Sequence, residues 1–197
     1  MLRLTATAIA SLICIAMAQA QTAAPVPPPP PVAAPSSPAP LKPGDAFGEP
    51  AELPERTIAY ISGQGTWDSA FETLIDAFKS LNQFLDKQGI KATGKAMTIY
   101  TETSDAGFKF RAALPIEAPP KNPPKGDVAF GAAPAGKALK FVHRGSFDSL
   151  DTSYEAITNY LDEKRIEIKE MFVEEYDGDP AKLSEKDLVV NIYVPLR

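Results

Sequence analysis

Cysteine and histidine are almost missing from this chain of 197 residues, which has one of each, Cys14 and His143. A single cysteine closes no disulfide within the chain. Because Cys14 lies in the apolar N-terminal run, the rest carries no thiolate nucleophile and folds without oxidative help. One histidine excludes a metal site built on several imidazoles, and His143, at the end of an expected strand before Arg144-Gly145, is read as structural. No basic cluster is present either: 20 Lys and Arg stand against 25 Asp and Glu, a net charge of −5, and the basic residues are scattered, leaving no stripe for nucleic acid. No apolar run is long enough for a comfortable membrane span, which needs about 20 residues. The longest, Leu4 to Ala18, follows Arg3 and ends in Ala18-Gln19-Ala20, the pattern of a secretory leader cut after Ala20. Residues 1–20 therefore predict a periplasmic or secreted protein. Ile13 stands where a lipoprotein site would want a small residue before Cys14.

Proline, in contrast, is plentiful, and it dominates with alanine from Pro25 to Pro54, including the run Pro27 to Pro31. Such a stretch has little to bury and stays extended at roughly 3 Å per residue, so residues 21–54 are read as a disordered spacer, with cell-envelope or cell-wall contact as a second use. The remaining 55–197 are one domain's worth of chain, enough to bury around two thirds of the unfolded surface. Within it, "GAAPAGKA" at 131–138 almost spells a phosphate loop, since Gly131, Gly136 and Lys137 have the G-x-x-x-x-G-K spacing. Ala138 replaces the required hydroxyl, Pro134 removes an N–H from the cradle, and 138–143 alternate like a strand where a helix should begin. The stretch is read as a turn, as is Asp177-Gly178-Asp179-Pro180, which lacks the further ligands of a calcium loop.

Sliding the domain on itself by 80 residues sets Gly65-Thr66-Trp67-Asp68-Ser69 over Gly145-Ser146-Phe147-Asp148-Ser149, and Leu114-Pro115-Ile116 over Val194-Pro195-Leu196. A shift of 76 pairs Phe84-Leu85-Asp86 with Tyr160-Leu161-Asp162, and Tyr100 with Tyr176. The chain thus contains two copies, 55–116 and 134–197, each reading strand, helix, strand, strand. The first strand is Thr57 to Gly63, and the helix after it has one apolar face made by Phe71, Leu74, Ile75, Phe78, Leu81, Phe84 and Leu85. Ser69 with Glu72, and Thr152 with Glu155, have the spacing of capping boxes, and Gly89 stops the first helix. Further strands are expected at 96–101, 108–114, 138–143, 171–176 and 188–194, with a short edge strand at 127–130. The expectation is an α+β domain in which two antiparallel sheets lie side by side about a pseudo-twofold, helices packed on one side, with a central cleft between the copies as the ligand site.

The run P-A-G-K-A-L-K-F-V-H-R-G-S-F-D-S-L at 134–150, with E-E-Y-D-G-D-P at 174–180 and I-Y-V-P-L at 192–196, resembles the GyrI-like small-molecule-binding domain. That family supplies the effector-binding module of bacterial multidrug-responsive transcription activators and also occurs free-standing. The resemblance implies two repeats facing a cleft, with aromatic walls and a buried glutamate that attracts lipophilic cations. That glutamate maps to Glu174, with Tyr176 beside it. Alternation along the strand puts Phe172, Glu174 and Tyr176 on one face, and the repeat puts Thr98 and Tyr100 on the matching face of the first copy. Trp67, its repeat partner Phe147, and Tyr193 complete the candidate lining.

A carboxylate among rings suits a lipophilic or cationic small molecule, each ring adding about 0.5 to 2 kcal/mol of cation-π attraction. Leader and spacer stand where a regulator has its DNA-binding segment, so transcriptional activation does not carry over. The leading expectation is an exported binding protein, monomer or weak dimer, that needs no cofactor or metal. Two other readings stand beside it. Some free-standing relatives resemble hydrolases that open strained cyclopropane rings, with Glu174 as general acid or base, and the domain is alternatively an envelope interaction module.

Overall fold

In the computed structural model the described residues are 42–182, 184–186 and 188–197. The leader expected at 1–20, and the proline-rich segment up to 41, lie outside them. Eight strands and two helices follow one another: β1 (Phe47–Leu53), β2 (Thr57–Gly65), α1 (Ala70–Gln88), β3 (Met97–Ser104), β4 (Gly107–Pro115), β5 (Val128–Ala132), β6 (Gly136–Gly145), α2 (Leu150–Lys164), β7 (Phe172–Tyr176) and β8 (Leu188–Pro195). The expected α+β class and the duplicated unit hold. The two expected sheets meet edge to edge through β3 and β7, giving a single antiparallel sheet of order β1-β6-β8-β7-β3-β4-β2-β5.

Each helix is entered through a three-residue 3-10 turn, Trp67–Ser69 or Phe147–Ser149. Neither expected capping box forms. Ser69 and Ser149 occupy the N-cap positions without a side-chain cap bond, and Thr152 lies inside α2. The 3-10 turn is the reason: Ser149 N–H already bonds the carbonyl of Ser146 (3.1 Å), and its hydroxyl donates to the same oxygen (2.8 Å). α1 buries Ala70, Leu74, Phe78, Leu81 and Leu85, one stripe of the face expected from the periodicity. Both helices end on a left-handed residue, Gly89 (φ 65°) and its repeat equivalent Arg165 (φ 53°), a conformation that costs nothing for glycine and about 1 kcal/mol or more for arginine.

Phe47–Leu53, expected to belong to the spacer, form β1, which corrects the spacer boundary. Ala46-Phe47-Gly48-Glu49-Pro50-Ala51-Glu52-Leu53 carries only two bulky apolar residues and a proline, and so reads as spacer. An edge strand tolerates that proline, which has no N–H to donate, because one side of the strand has no ladder to complete. Leu53 is buried, and Phe47 meets Phe141 (5.1 Å) and Tyr160 (5.6 Å) edge-on. Just ahead, Asp45 accepts two bonds from Arg144, Nε at 2.8 Å and Nη2 at 2.7 Å. That guanidinium holds the Asp45 carboxyl down at about 2.

The connections decide the sheet's shape. β1 occupies one margin beside β6, yet only residues 54–56 separate it from β2, which lies next to the opposite margin. β5, at that opposite margin, likewise reaches β6 through 133–135. Four Cα steps span at most about 15 Å, so the margins must curl toward each other. The two links run side by side, with Ala133 N–H bonded to Arg56 O at 2.9 Å. Leu53, Ala133 and Ala138 from the margins cluster with Ile99 and Val173 from the middle, which makes the helix-free face the inside of the curl. Each repeat thereby lends its leading strand to the other. Gly136 (φ 105°) opens β6, with no helix following, so 131–138 holds the end of β5, the crossing turn 133–135 and the start of β6, not a phosphate loop.

Candidate functional site

The pseudo-twofold passes between β3 and β7, where Thr98 pairs with Glu174 and Tyr100 with Phe172. Repeat-equivalent positions thus face each other, Thr in one copy and Glu in the other. Strand alternation turns Thr98, Tyr100, Glu174 and Tyr176 toward the helices, while Met97, Ile99 and Val173 enter the curl.

Glu174 is fully buried. Its Oε1 accepts the Tyr154 hydroxyl at 2.8 Å, and its Oε2 accepts those of Tyr176 at 2.6 Å and Tyr100 at 3.2 Å. With the Tyr176 proton committed to Glu174, the Thr98 hydroxyl, 2.9 Å away, donates to the Tyr176 oxygen. Burial raises the Glu174 pKa above its ordinary value, and the three tyrosine hydrogen bonds pull it part of the way back. Burial first, and the neighbouring carboxylate second, push the Tyr100, Tyr154 and Tyr176 hydroxyls well above their usual range, so they remain neutral donors. The three hydroxyls thus stabilise the ionised form against the cost of burial, and among the described residues no cationic side chain pairs with it.

Above it opens a cavity of about 610 Å³, within the ordinary size for a small-molecule site. Tyr100 and Glu174 line its base, Trp67 and Asp68 come from the turn entering α1, and Phe147 and Asp148 come from the equivalent turn entering α2. Asp151 and Tyr154 of α2 add to the second wall. Trp67 is 46% exposed; its ring lies 4.8 Å from Phe108, and its Nε1–H donates to Ser104 O at 2.8 Å. Phe147 meets Phe71 edge-on at 5.3 Å.

The structure brings together most of the expected residues, in different layers. Glu174, Tyr100, Trp67 and Phe147 border the cavity. Thr98 and Tyr176 stand behind Glu174 as its support. Phe172 borders an adjoining smaller chamber with Trp67, Tyr100 and Tyr154. Tyr193 does not belong: it pairs with Val173 and packs in the cluster on the opposite face, because one step of strand alternation separates it from the Ile192 that pairs with Glu174.

Tyr154, Asp68, Asp148 and Asp151 are the residues that strand-based reasoning misses. For Tyr154 a signal exists. A shift of 80 places it over Leu74, which is buried on α1, so the inward face of α2 carries a hydroxyl where α1 carries a methyl. His143 is buried; its Nε2–H donates to Ser146 O (3.1 Å) and its Nδ1 accepts from Ser153 (2.8 Å), the satisfied structural role expected of it. Among the described residues no group of three or more His, Cys, Asp and Glu could hold a metal ion.

A family model described as the GyrI-like small molecule binding domain matches residues 51–197. Among solved structures, the EcmrR C-terminal domain is similar with a TM-score of 0.62 at 20% identity, over 76% of this chain and 96% of that one. EcmrR in its complex with DNA gives 0.63 at 21% identity over 76% of this chain, which spans 56% of the length of that protein. SAV2435 bound to tetraphenylphosphonium gives 0.51 at 15% identity, over 76% and 93%. At these identities the likeness is one of fold. No curated protein matches the sequence.

Proposed function

The chain belongs to the GyrI-like small-molecule-binding domain family, and on that premise we propose that its cleft captures a lipophilic monocation. The observation that carries this reading is Glu174: a fully buried carboxyl held by three tyrosine hydroxyls and, among the described residues, by no cationic side chain, at the base of a 610 Å³ cavity. A buried charge without a counter-charge is costly, and a cationic guest between Trp67, Tyr100 and Phe147 supplies one while adding ring contacts. The tetraphenylphosphonium in SAV2435, a protein of the same fold, supports that ligand class. Binding is preferred to hydrolysis because both Glu174 oxygens serve as acceptors, an arrangement that holds a charge in place.

The test is a melting experiment. Tetraphenylphosphonium at about a hundred times its Kd should stabilise the protein by about 2.7 kcal/mol, a rise in Tm of roughly 5–10 °C. An unchanged Tm across a panel of such cations would remove the reading.

The proposal extends to location. The apolar run Leu4 to Ala18 and the Ala18-Gln19-Ala20 motif support an exported protein. N-terminal sequencing of the protein recovered from cells should begin at Gln21; an intact Met1 in the cytoplasmic fraction counts against export.

A further inference from the structure

Beside the main cavity lies the second chamber, of about 200 Å³, lined by Trp67, Tyr100, Thr103, Tyr154, Thr158 and Phe172. Trp67, Tyr100 and Tyr154 wall both spaces, whereas Glu174 borders only the larger one. The two chambers thus share an aromatic partition, with the buried carboxylate on one side of it. We propose that the smaller chamber is a distinct subsite, which takes an uncharged aryl or short alkyl arm of a ligand whose cationic centre sits against Glu174. This rests on the cation-binding reading and narrows it, from lipophilic cations in general to cations carrying one extended arm.

The chemistry of the walls carries the assignment. The hydroxyls of Tyr100 and Tyr154 are directed at Glu174, and the Trp67 N–H is directed at Ser104 O. The Thr158 hydroxyl donates to Tyr154 O at 2.9 Å within α2. What those residues leave for a guest is ring face and methyl group. Phe172 stands edge-on to Tyr154 at 5.3 Å and 89°, which adds a further ring. Among the described residues no charged side chain lines the chamber. An apolar cavity of about 150 Å³ takes up benzene, so the space suits one aromatic ring. Trp67, half-exposed at the mouth of both chambers, stands where a two-part ligand would cross from one to the other.

The experiment uses the full chain and two probes with the same head, tetraethylammonium and benzyltriethylammonium. Binding is read from the fluorescence of Trp67, the only tryptophan. Thr158→Phe, from the exposed side of α2, and Thr103→Phe, from β3, each fill the small chamber from a different element without replacing a residue that bonds Glu174. The wild type should prefer the benzyl cation by about tenfold, the value of one buried ring's worth of apolar area. Both variants should lose that preference and keep their tetraethylammonium Kd within about twofold. A preference that survives in both variants overturns the subsite, and so does an equal weakening of both cations. A wild type that binds neither cation is a different result: it removes the cation-binding reading, and the subsite with it.

Discussion

Glu174→Gln should leave the domain folded and lower its affinity for tetraphenylphosphonium at neutral pH by at least about 30-fold. The exchange keeps the volume and removes the charge, and losing one partner of a buried charge pair costs about 2–5 kcal/mol. The pH dependence carries the same signature. Because burial raises the folded-state pKa of Glu174, the folded protein holds a proton that the unfolded chain has already released. The resulting stability is fully present below the ordinary glutamate pKa of 4.5 and declines as pH rises through the raised value. Cation binding runs the other way, since it needs the carboxylate: wild-type affinity should climb with pH across that window, with proton release on binding. Calorimetric titrations in two buffers of different ionisation enthalpy measure both quantities. The Gln variant should show a flat profile and no released proton; unchanged affinity in it would show that the charge is not what the ligand meets.

A chain beginning at residue 55 should fail to fold cooperatively, in contrast to one beginning at residue 42. The difference is the lead-in and β1, which family-level motifs and composition both place outside the repeat. Without them β6 loses its outer partner along six registered positions, Leu53 leaves the inner cluster, and Phe47 leaves Phe141 and Tyr160. Burial of Leu53, partial cover of Phe47 and pairing of the strand together amount to about 5 kcal/mol, comparable to the whole stability of many domains. The Asp45–Arg144 pair also goes; with the Asp45 carboxyl held at about 2, it contributes at every pH above the ordinary aspartate value and is lost only as pH falls through about 2. Circular dichroism melts of the two truncated chains decide the matter: equal midpoints would mean that β1 is ornamental.

Much of this was legible in the sequence because it is local. The 3.6-residue stripe from Leu74 to Leu85, the alternation of 138–143 and 171–176, and Gly89 at a helix end each express a rule acting over a few residues. The floor of the site was legible too, since the repeat and alternation together align Thr98 and Tyr100 with Glu174 and Tyr176. What escaped depends on long-range placement. β1 pairs with β6 some 90 residues away in sequence (Phe47 with Phe141, for example), and its own composition argues against a strand. Tyr154 of α2 meets Glu174 and Phe172 of β7 through tertiary packing, and nothing within α2 announces that contact. Tyr193 was misplaced for the opposite reason: tyrosine on a strand has even odds of either face until the register of β8 against β7 is fixed by Ile192 and Glu174.

The crossing of β1 and β5 has a consequence for how such a pocket can exist at all. Each repeat alone has a sheet lacking its edge and a leading strand with nowhere to lie, and two identical chains would complete each other by the same reciprocal exchange. Fold and symmetry match those that a strand-exchanged homodimer would have. In a true homodimer the residue facing itself across the axis must be the same on both sides. Two glutamates there would repel or share one proton, and two threonines would leave no charge. A single chain frees the two positions to differ, and Thr98 opposite Glu174 is an asymmetry that no homodimer can hold: a single carboxyl on the axis of a twofold.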